Sequence, residues 1–369
     1  MGPMITYPQA KQQVSIAESR AVPLVSVVMS VHNGARYLRG AIESILSQTL
    51  PDLELIVVDD ASSDGSGEIC REYAQRDARV VFLANTDRLG LTPSLNRALS
   101  KAHGTYMARM DADDVSLPHR FKTQVSYLET HVDVGLVGSF YTEIDEDGSV
   151  LIPEYRFPTE PIIICWRMAF ENPLPHPPIM ARRALIEEVG RYDERWRTSQ
   201  DFDLFTRLCV LTKLANCPEV LFEWRRHAES ISTSFKKEQR DSAISISRAY
   251  ISRLLGRDVP QADVELLWQR EPHGIKEAER FASTLIAICR QIAADSRWSS
   301  QERCALRNYV SQKLLYDLTP YARRPRSWRL LGSLACLSPS LVAKVATRRG
   351  KGARPRWSPL PWRRRITTD

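Results

Sequence analysis

Val25-Ser-Val-Val-Met-Ser-Val31 is a nearly continuous apolar run of the kind found in a strand covered on both faces, and hence in a parallel sheet. Working outward, His32-Asn-Gly34 reads as a turn. Leu38, Ile42, Ile45 and Leu46 then recur at helical spacing, with Pro51 beyond the helix end. Leu53-Glu-Leu-Ile-Val-Val58 repeats the strand pattern and closes on Asp59-Asp60. Ser62-Ser-Asp-Gly-Ser66 is a turn and helix start, and a helix through Ile69 and Tyr73 follows. Val80-Val-Phe-Leu83 is a third strand, Leu91 to Lys101 a third helix, and Tyr106 to Met110 a fourth strand. This alternation predicts an α/β fold: a Rossmann-like, mostly parallel sheet with helices on both faces.

Further along, Arg120 to Thr130 reads as a helix and Val134-Gly-Leu-Val-Gly-Ser-Phe-Tyr141 as a strand, with a hairpin-type turn at Asp145-Glu-Asp-Gly148. Pro153 to Pro161 reads as irregular. Asn172-Pro-Leu-Pro-His-Pro-Pro178 cannot be a helix interior, because proline fixes φ and lacks a donor. A short helix over Arg183 to Val189 ends at Gly190, and Asp201 to Leu211 is a helix with Phe202, Phe205 and Leu208 on its apolar side. From about Lys236 to about Asp317 the chain reads as helical. The organisation expected is a loose lead over residues 1–22, a sheet domain over 23–235, a helical extension over 236–320 and a basic tail over 321–369.

Composition narrows the function. The 369 residues are 43% hydrophobic and 26% charged, as in a soluble globular protein. Seven cysteines are scattered without a C-x-x-C pair, which argues against a zinc site or disulfide framework and for a reducing cytosol. The N-terminus lacks the basic-then-apolar pattern of a signal peptide. No uncharged apolar run reaches the ~20 residues that span a bilayer.

In open α/β sheets, ligands bind outside the carboxyl ends of the strands. His32-Asn33, Asp59-Asp60 and Asp111-Ala-Asp113 all follow strand ends, so they converge on one rim. The carboxylates of Asp111, Asp113 and Asp114 are disfavoured in strands, and their gathering at a strand end points to a purpose. Two carboxylates plus the phosphates of a bound nucleotide suit a hard divalent cation, Mg²⁺ or Mn²⁺. By itself a D-x-D pattern is a weak signal, better suited to a hydrated acidic turn or helix cap.

Taken together, these segments resemble glycosyltransferase family 2, whose members have the GT-A fold. The resemblance runs through Val25 to Gly34, Val57-Val-Asp-Asp-Ala-Ser-Ser-Asp-Gly65 and Asn85…Gly90-Leu-Thr-Pro-Ser-Leu-Asn96. It continues through Ala108-Arg-Met-Asp-Ala-Asp-Asp114, His176-Pro177, Gln200-Asp-Phe-Asp-Leu204 and Arg225-Arg-His227, and so covers about Pro23 to Ser234. It implies an inverting transfer of a sugar from a nucleotide-diphosphate donor, most often a UDP-sugar, to a hydroxyl of a glycan or lipid-linked acceptor. The usual setting is cell-surface polysaccharide or glycolipid biosynthesis.

The resemblance also implies roles. Val31, His32, Asn33, Asp59, Asp60, Asp111 and Ala112 would line the nucleotide-sugar site, with Asp59 and Asp60 at the nucleoside. Asp113 would bind the Mn²⁺ or Mg²⁺ that bridges the diphosphate, and Asp111 would reach the ribose, or the metal through water. Arg88 and Arg109 would either face the diphosphate or pair with the acidic cluster. Asp201 would be the general base, since a weakly acidic sugar hydroxyl must pass its proton to a positioned group as the bond forms. The family usually has Glu-Asp where this chain has Gln200-Asp201, and losing one neighbouring charge eases ionisation of Asp201. Asp203 is expected to be structural. His227 is either a further metal or diphosphate contact or a packed surface residue. His176 either lines the acceptor side, with Gln200 near it, or is a rigid loop residue. Trp166, Trp196 and Trp224 either stack on sugars or pack in the core.

The tail carries thirteen basic residues against one acid from Tyr321 to Asp369, a net +12 within a total of +7, so the rest of the chain is −5. Its Arg clusters are interleaved with Trp328, Trp357 and Trp362, and its apolar stretches are too short to span. Such a segment suits docking on an anionic membrane surface, which gives a cytoplasmic protein peripheral on the inner membrane face. A solvated tail is the alternative. Nucleic acid is set aside, because no RNA-reading motif accompanies the charge. A sugar nucleotidyltransferase would need a glycine-rich, basic phosphate loop after the first strand, where this chain has His32-Asn-Gly34. A non-catalytic nucleotide-sugar-binding protein would not need both Asp113 and Asp201.

Overall fold

The computed structural model describes residues 22–227, 236–269 and 272–322. The lead over 1–21 and nearly all of the basic tail, with its expected membrane role, lie outside the described residues. The parallel half of the sheet is built as expected. It comprises β1 (Val25–Val31), β2 (Leu53–Asp59), β3 (Val80–Ala84) and β4 (Tyr106–Asp111). They are joined by α1 (Ala35–Leu46), α2 (Ser66–Arg76) and α3 (Leu91–Leu99). Val31 lies level with Asp59, and Ser30 with Asp111, so these strands end on one rim.

The second half is mixed. After β5 (Val115–Ser116) and α4 (Arg120–Thr130) come β6 (Val134–Ile144) and β7 (Val150–Tyr155), joined by the turn at Gly148. Then follow α5 (Pro161–Arg167), β8 (Met180–Arg182), α6 (Arg183–Glu188), α7 (Gln200–Leu211) and β9 (Lys213–Arg225). The strand order is β3-β2-β1-β4-β8-β6-β9-β5, with β7 on β6; β6 and β9 are parallel, and the pairings of β8, β7 and β5 are antiparallel. The expectation of irregular chain from Pro153 is corrected at its start, because Pro153 lies within β7. Among the described residues this strand pairs only β6, so one side of it has no ladder partner there to serve. β9 pairs Cys217 with Ser139 and then Val220 with Phe140, leaving exposed Pro218 and Glu219 as a bulge where the missing proline N–H is tolerated.

Alternation along β1 loads both faces of the sheet. Val27, Met29 and Val31 pack with Leu38, Ile42 and Phe121, on the side of α1 and α4. Val28 packs on the other side, with Ile56, Leu95, Trp166 and Phe205. That second core continues without a break into the C-terminal helices: α8 (Lys236–Leu255), α9 (Gln261–Gln269), α10 (Ile275–Ala294) and α11 (Ser300–Ala322). Trp166 is wholly buried and donates its Nε1 to the Leu285 carbonyl at 3.4 Å. Tyr250 donates to the Cys165 carbonyl at 3.0 Å. Among the described residues no helix is long and apolar enough to cross a membrane.

Candidate active site

The β1 and β2 ends are stitched together. His32 donates from Nδ1 to the Asp60 carbonyl at 2.8 Å. Asn33 donates its N–H to Ser62 Oγ, and its Oδ1 accepts from the Ser63 N–H, both at 2.9 Å. Asn33 and Ala61 both adopt left-handed backbone, with φ of 52° and 56°. Such conformations cost energy outside glycine and are held in place by surrounding contacts, here the bonds across the two loops.

The two carboxylates of the acidic pair do different things. Asp60 is buried, and its Oδ1 accepts from Asn85 Nδ2 at 2.7 Å and the Leu89 N–H at 2.8 Å. Its Oδ2 accepts from the N–H of Gly90 at 2.8 Å, and Gly90 takes a φ of 95° that suits glycine. Asp60 therefore folds the loop before α3, and that loop carries exposed Arg88 on the rim. Asp59 accepts the Ser62 N–H at 3.2 Å, and its Oδ2 lies where a side chain on Gly67 would collide.

At the end of β4, ligand oxygens of Asp111, Asp113 and Asp114 lie within 4.8 Å of one another. Arg109 lies beneath them, almost wholly buried, and forms an ion pair with Asp111. Burial works against the Arg109 charge, yet the Asp111 carboxylate beside it holds its pKa above the ordinary value. Of the two expectations for Arg109, the geometry matches pairing with the acidic cluster. Burial also raises the Asp111 pKa, with Arg109 opposing and the charges of Asp113 and Asp201 adding to it. Asp114 is pushed well above the carboxylate range by burial, then by Asp113 and Asp111. Its Oδ2 is buried without a hydrogen-bond partner among the described residues. An all-oxygen cluster with one uncompensated buried acceptor fits the hard divalent cation that the family resemblance implies.

His227 reaches this cluster from the end of β9, its Nε2 2.7 Å from Asp113 Oδ2. Asp201 reaches the same rim on the first turn of α7, after Ser199 at a φ of 61°. Burial raises the Asp201 pKa, while backbone N–H groups, Arg109 and Asn172 act to lower it. Asn172 Nδ2 donates to Asp201 Oδ2 at 2.8 Å. Gln200, next to Asp201, is buried. His176 shares a 2.8 Å hydrogen bond with the Tyr192 hydroxyl, and burial plus the Arg109 charge keep its pKa well below the usual imidazole range. Asp203 pairs with Arg207 at 2.8 Å, a structural role as expected. Trp166 is core, and Trp224 packs against Tyr141 with ring centroids 5.9 Å apart.

Two site residues escaped sequence reasoning in their roles. Asn172 was legible only as the residue opening a proline-rich loop. Arg225, two residues before His227, contacts the acidic turn through both side chain and backbone. Its position at the end of an unrecognised strand concealed this.

A GT-A-like α/β fold with an acidic rim defines the class, and comparison with known proteins agrees. The model for "Glycosyl transferase family 2" matches residues 26–189. An uncharacterised glycosyltransferase, MJ1057 of Methanocaldococcus jannaschii, is 37% identical over 191 residues, 51% of this chain and 65% of that protein. The O-antigen biosynthesis glycosyltransferase WbnJ of Escherichia coli is 32% identical over 222 residues, 58% of this chain and 84% of that one. The crystal structure of Staphylococcus aureus TarS residues 1–349 with UDP-GlcNAc superposes with a TM-score of 0.52 at 15% identity, covering 89% of this chain and 92% of that one, which speaks for the fold. The chain belongs to glycosyltransferase family 2 and is a transferase of that kind.

Proposed function

We propose that this enzyme transfers a sugar from a nucleotide-diphosphate donor, a UDP-sugar, to a hydroxyl of a glycan or lipid-linked acceptor, with inversion, in surface polysaccharide or glycolipid assembly. The observation that carries this reading is the convergence of Asp201 with Asp111, Asp113 and Arg109 on one rim, close enough for Asp201 to act on the Asp111 charge. The UDP-GlcNAc bound by TarS supports a uridine donor, and the O-antigen role in the name of WbnJ supports a surface glycan.

In this reading Asp201 takes the proton of the acceptor hydroxyl as its oxygen bonds to the anomeric carbon. The bond from that carbon to the diphosphate oxygen breaks, and the nucleoside diphosphate leaves. Burial suits Asp201 to the task, since a raised carboxylate pKa makes a stronger base. Asn172 and the backbone N–H groups of Asp201 and Phe202 hold the carboxylate in place for the acceptor. Asp113, with His227 beside it and Asp111 near, would hold Mn²⁺ or Mg²⁺, which supplies charge neutralisation for the departing diphosphate. Asp59 and His32 face the nucleoside, Val31, Asn33 and Ala112 line the donor cleft, and Arg88 faces the diphosphate. His176 and Gln200 flank the acceptor. The basic tail docks the enzyme on an anionic membrane where lipid-linked acceptors are presented. Deleting residues 321–369 should release it from membrane fractions, and unchanged fractionation would contradict that part.

Nucleoside-diphosphate release from UDP-, GDP- and dTDP-sugars, with Mn²⁺ or Mg²⁺ and lipid extracts as acceptor source, tests the reading. Metal-dependent turnover of a UDP-sugar is expected. Absence of both binding and turnover for every donor would contradict it.

A further inference from the structure

Arg225 closes β9 onto the acidic turn, and the reaction described above assigns it nothing. Its Nε donates to the Asp113 carbonyl at 2.8 Å. Its Nη1 donates to the carbonyls of Asp145 at 3.0 Å and Glu146 at 3.2 Å, in the turn between β6 and β7. Its backbone N–H donates to Asp114 Oδ1 at 2.7 Å. The guanidinium lies over the Tyr37 ring of α1, 4.7 Å from the centroid, and that same ring is 5.8 Å from the His227 imidazole.

One residue therefore joins the acidic turn, the β6–β7 turn, α1 and the end of β9. The task needs a planar cation with several donors in fixed directions and a face to lay on an aromatic ring. An arginine has these and a lysine does not. Two residues later the chain delivers His227 to Asp113 Oδ2. The placement of that pair depends on where Arg225 ties the strand.

We propose that Arg225 is a positioning residue for the metal–diphosphate site. It ties the Asp113–Asp114 turn to the end of β9, so that Asp113 and His227 meet as one set of ligands for a divalent cation and its diphosphate. The proposal rests on the donor-site reading above. It differs from a purely structural role in what it perturbs: the metal-dependent part of nucleotide binding. Groups that orient metal ligands typically contribute about 10–100-fold to metal affinity.

The test uses the full chain and UDP as probe, with dissociation constants measured by calorimetry in Mn²⁺ and in EDTA. Wild type is compared with Arg225→Ala, Arg225→Lys and Asp113→Ala. Both Arg225 variants should weaken UDP by about tenfold or more in Mn²⁺. In EDTA they should stay within about twofold, because the nucleoside contacts lie on the β1–β2 side, away from the substitution. Arg225→Lys at wild-type affinity, or equal weakening with and without Mn²⁺, would overturn the proposal. Should the alanine variant fail to fold, the lysine variant decides, since it keeps length and charge and loses only the fork. Wild-type behaviour of both Arg225 variants with loss in Asp113→Ala removes this proposal alone. Retained Mn²⁺ dependence in Asp113→Ala removes the donor-site reading itself.

Discussion

Asn172 donates its side-chain amide to Asp201 Oδ2 at 2.8 Å, joining the proline-rich loop to the helix that carries the proposed base. The bond favours the ionised carboxylate against a burial that disfavours it. In Asn172→Ala the Asp201 pKa should rise further. The base works when ionised, so the acid limb of kcat/KM should move to higher pH. A hydrogen bond to a charged group contributes about 1.5–3 kcal/mol, which corresponds to a shift of about one pH unit or more. An unmoved limb would show that Asn172 does not set the state of the base.

Asp60 is expected to matter for stability. It accepts from Asn85, Leu89 and Gly90 within a buried corner. Asp60→Ala leaves those donors unsatisfied, at a cost of about 1–3 kcal/mol for each that water cannot reach. Urea melts should show a lowered midpoint with the slope kept. A midpoint equal to wild type would mean that the loop before α3 folds without this anchor.

His176 gives the apo-enzyme a specific pH dependence. Its pKa is held well below the ordinary 6.5 by burial first and by Arg109 second. A group depressed in the folded state contributes stability above its unfolded pKa, and this is lost as pH falls toward the folded value. Between about pH 7 and about pH 5 the melting temperature of wild type should therefore fall relative to that of His176→Asn. Parallel curves for the two proteins would contradict the neutral, buried imidazole.

The C-terminal helices should be inseparable from the sheet domain in folding. Trp166 on α5 is wholly buried, edge-to-face with Phe170 at 4.7 Å and with Tyr309 of α11 at 5.8 Å. Trp166→Ala should destabilise the protein by about 3–5 kcal/mol, read from denaturant unfolding. A loss below about 1 kcal/mol would place the site among positions that collapse without a cavity.

The parallel half was legible because each strand is an apolar run ended by a turn or a carboxylate. Val25 to Val31 and Arg120 to Thr130 have the bounds read from sequence. β9 was not legible, since Pro218 breaks its pattern and only the bulge opposite Phe140 makes that proline harmless. β7 was hidden by Pro153 for the same reason. At the site, residue types in motifs pointed to Asp111, Asp113 and Asp201, and the clustering of the first two with Asp114 is seen in the structure. Their partners were not visible: that Arg109 turns to Asp111, or that Asn172 meets Asp201 from 29 positions away, follows from topology rather than from any local pattern. The division of labour between Asp59 and Asp60 was likewise out of reach, because adjacent carboxylates read alike until the loop that folds around one of them is seen.

In the proposed reaction Asp113 and Asp201 serve in different ways, the first at the donor and the second at the acceptor. Nucleoside-diphosphate release in Mn²⁺ and UDP-sugar affinity should be measured together for wild type, Asp113→Ala and Asp201→Asn. Asp113→Ala should lose metal-dependent donor binding and turnover together. Asp201→Asn should keep donor binding near the wild-type value while turnover falls by about 10²–10⁴-fold. Wild-type turnover in Asp201→Asn would contradict the account.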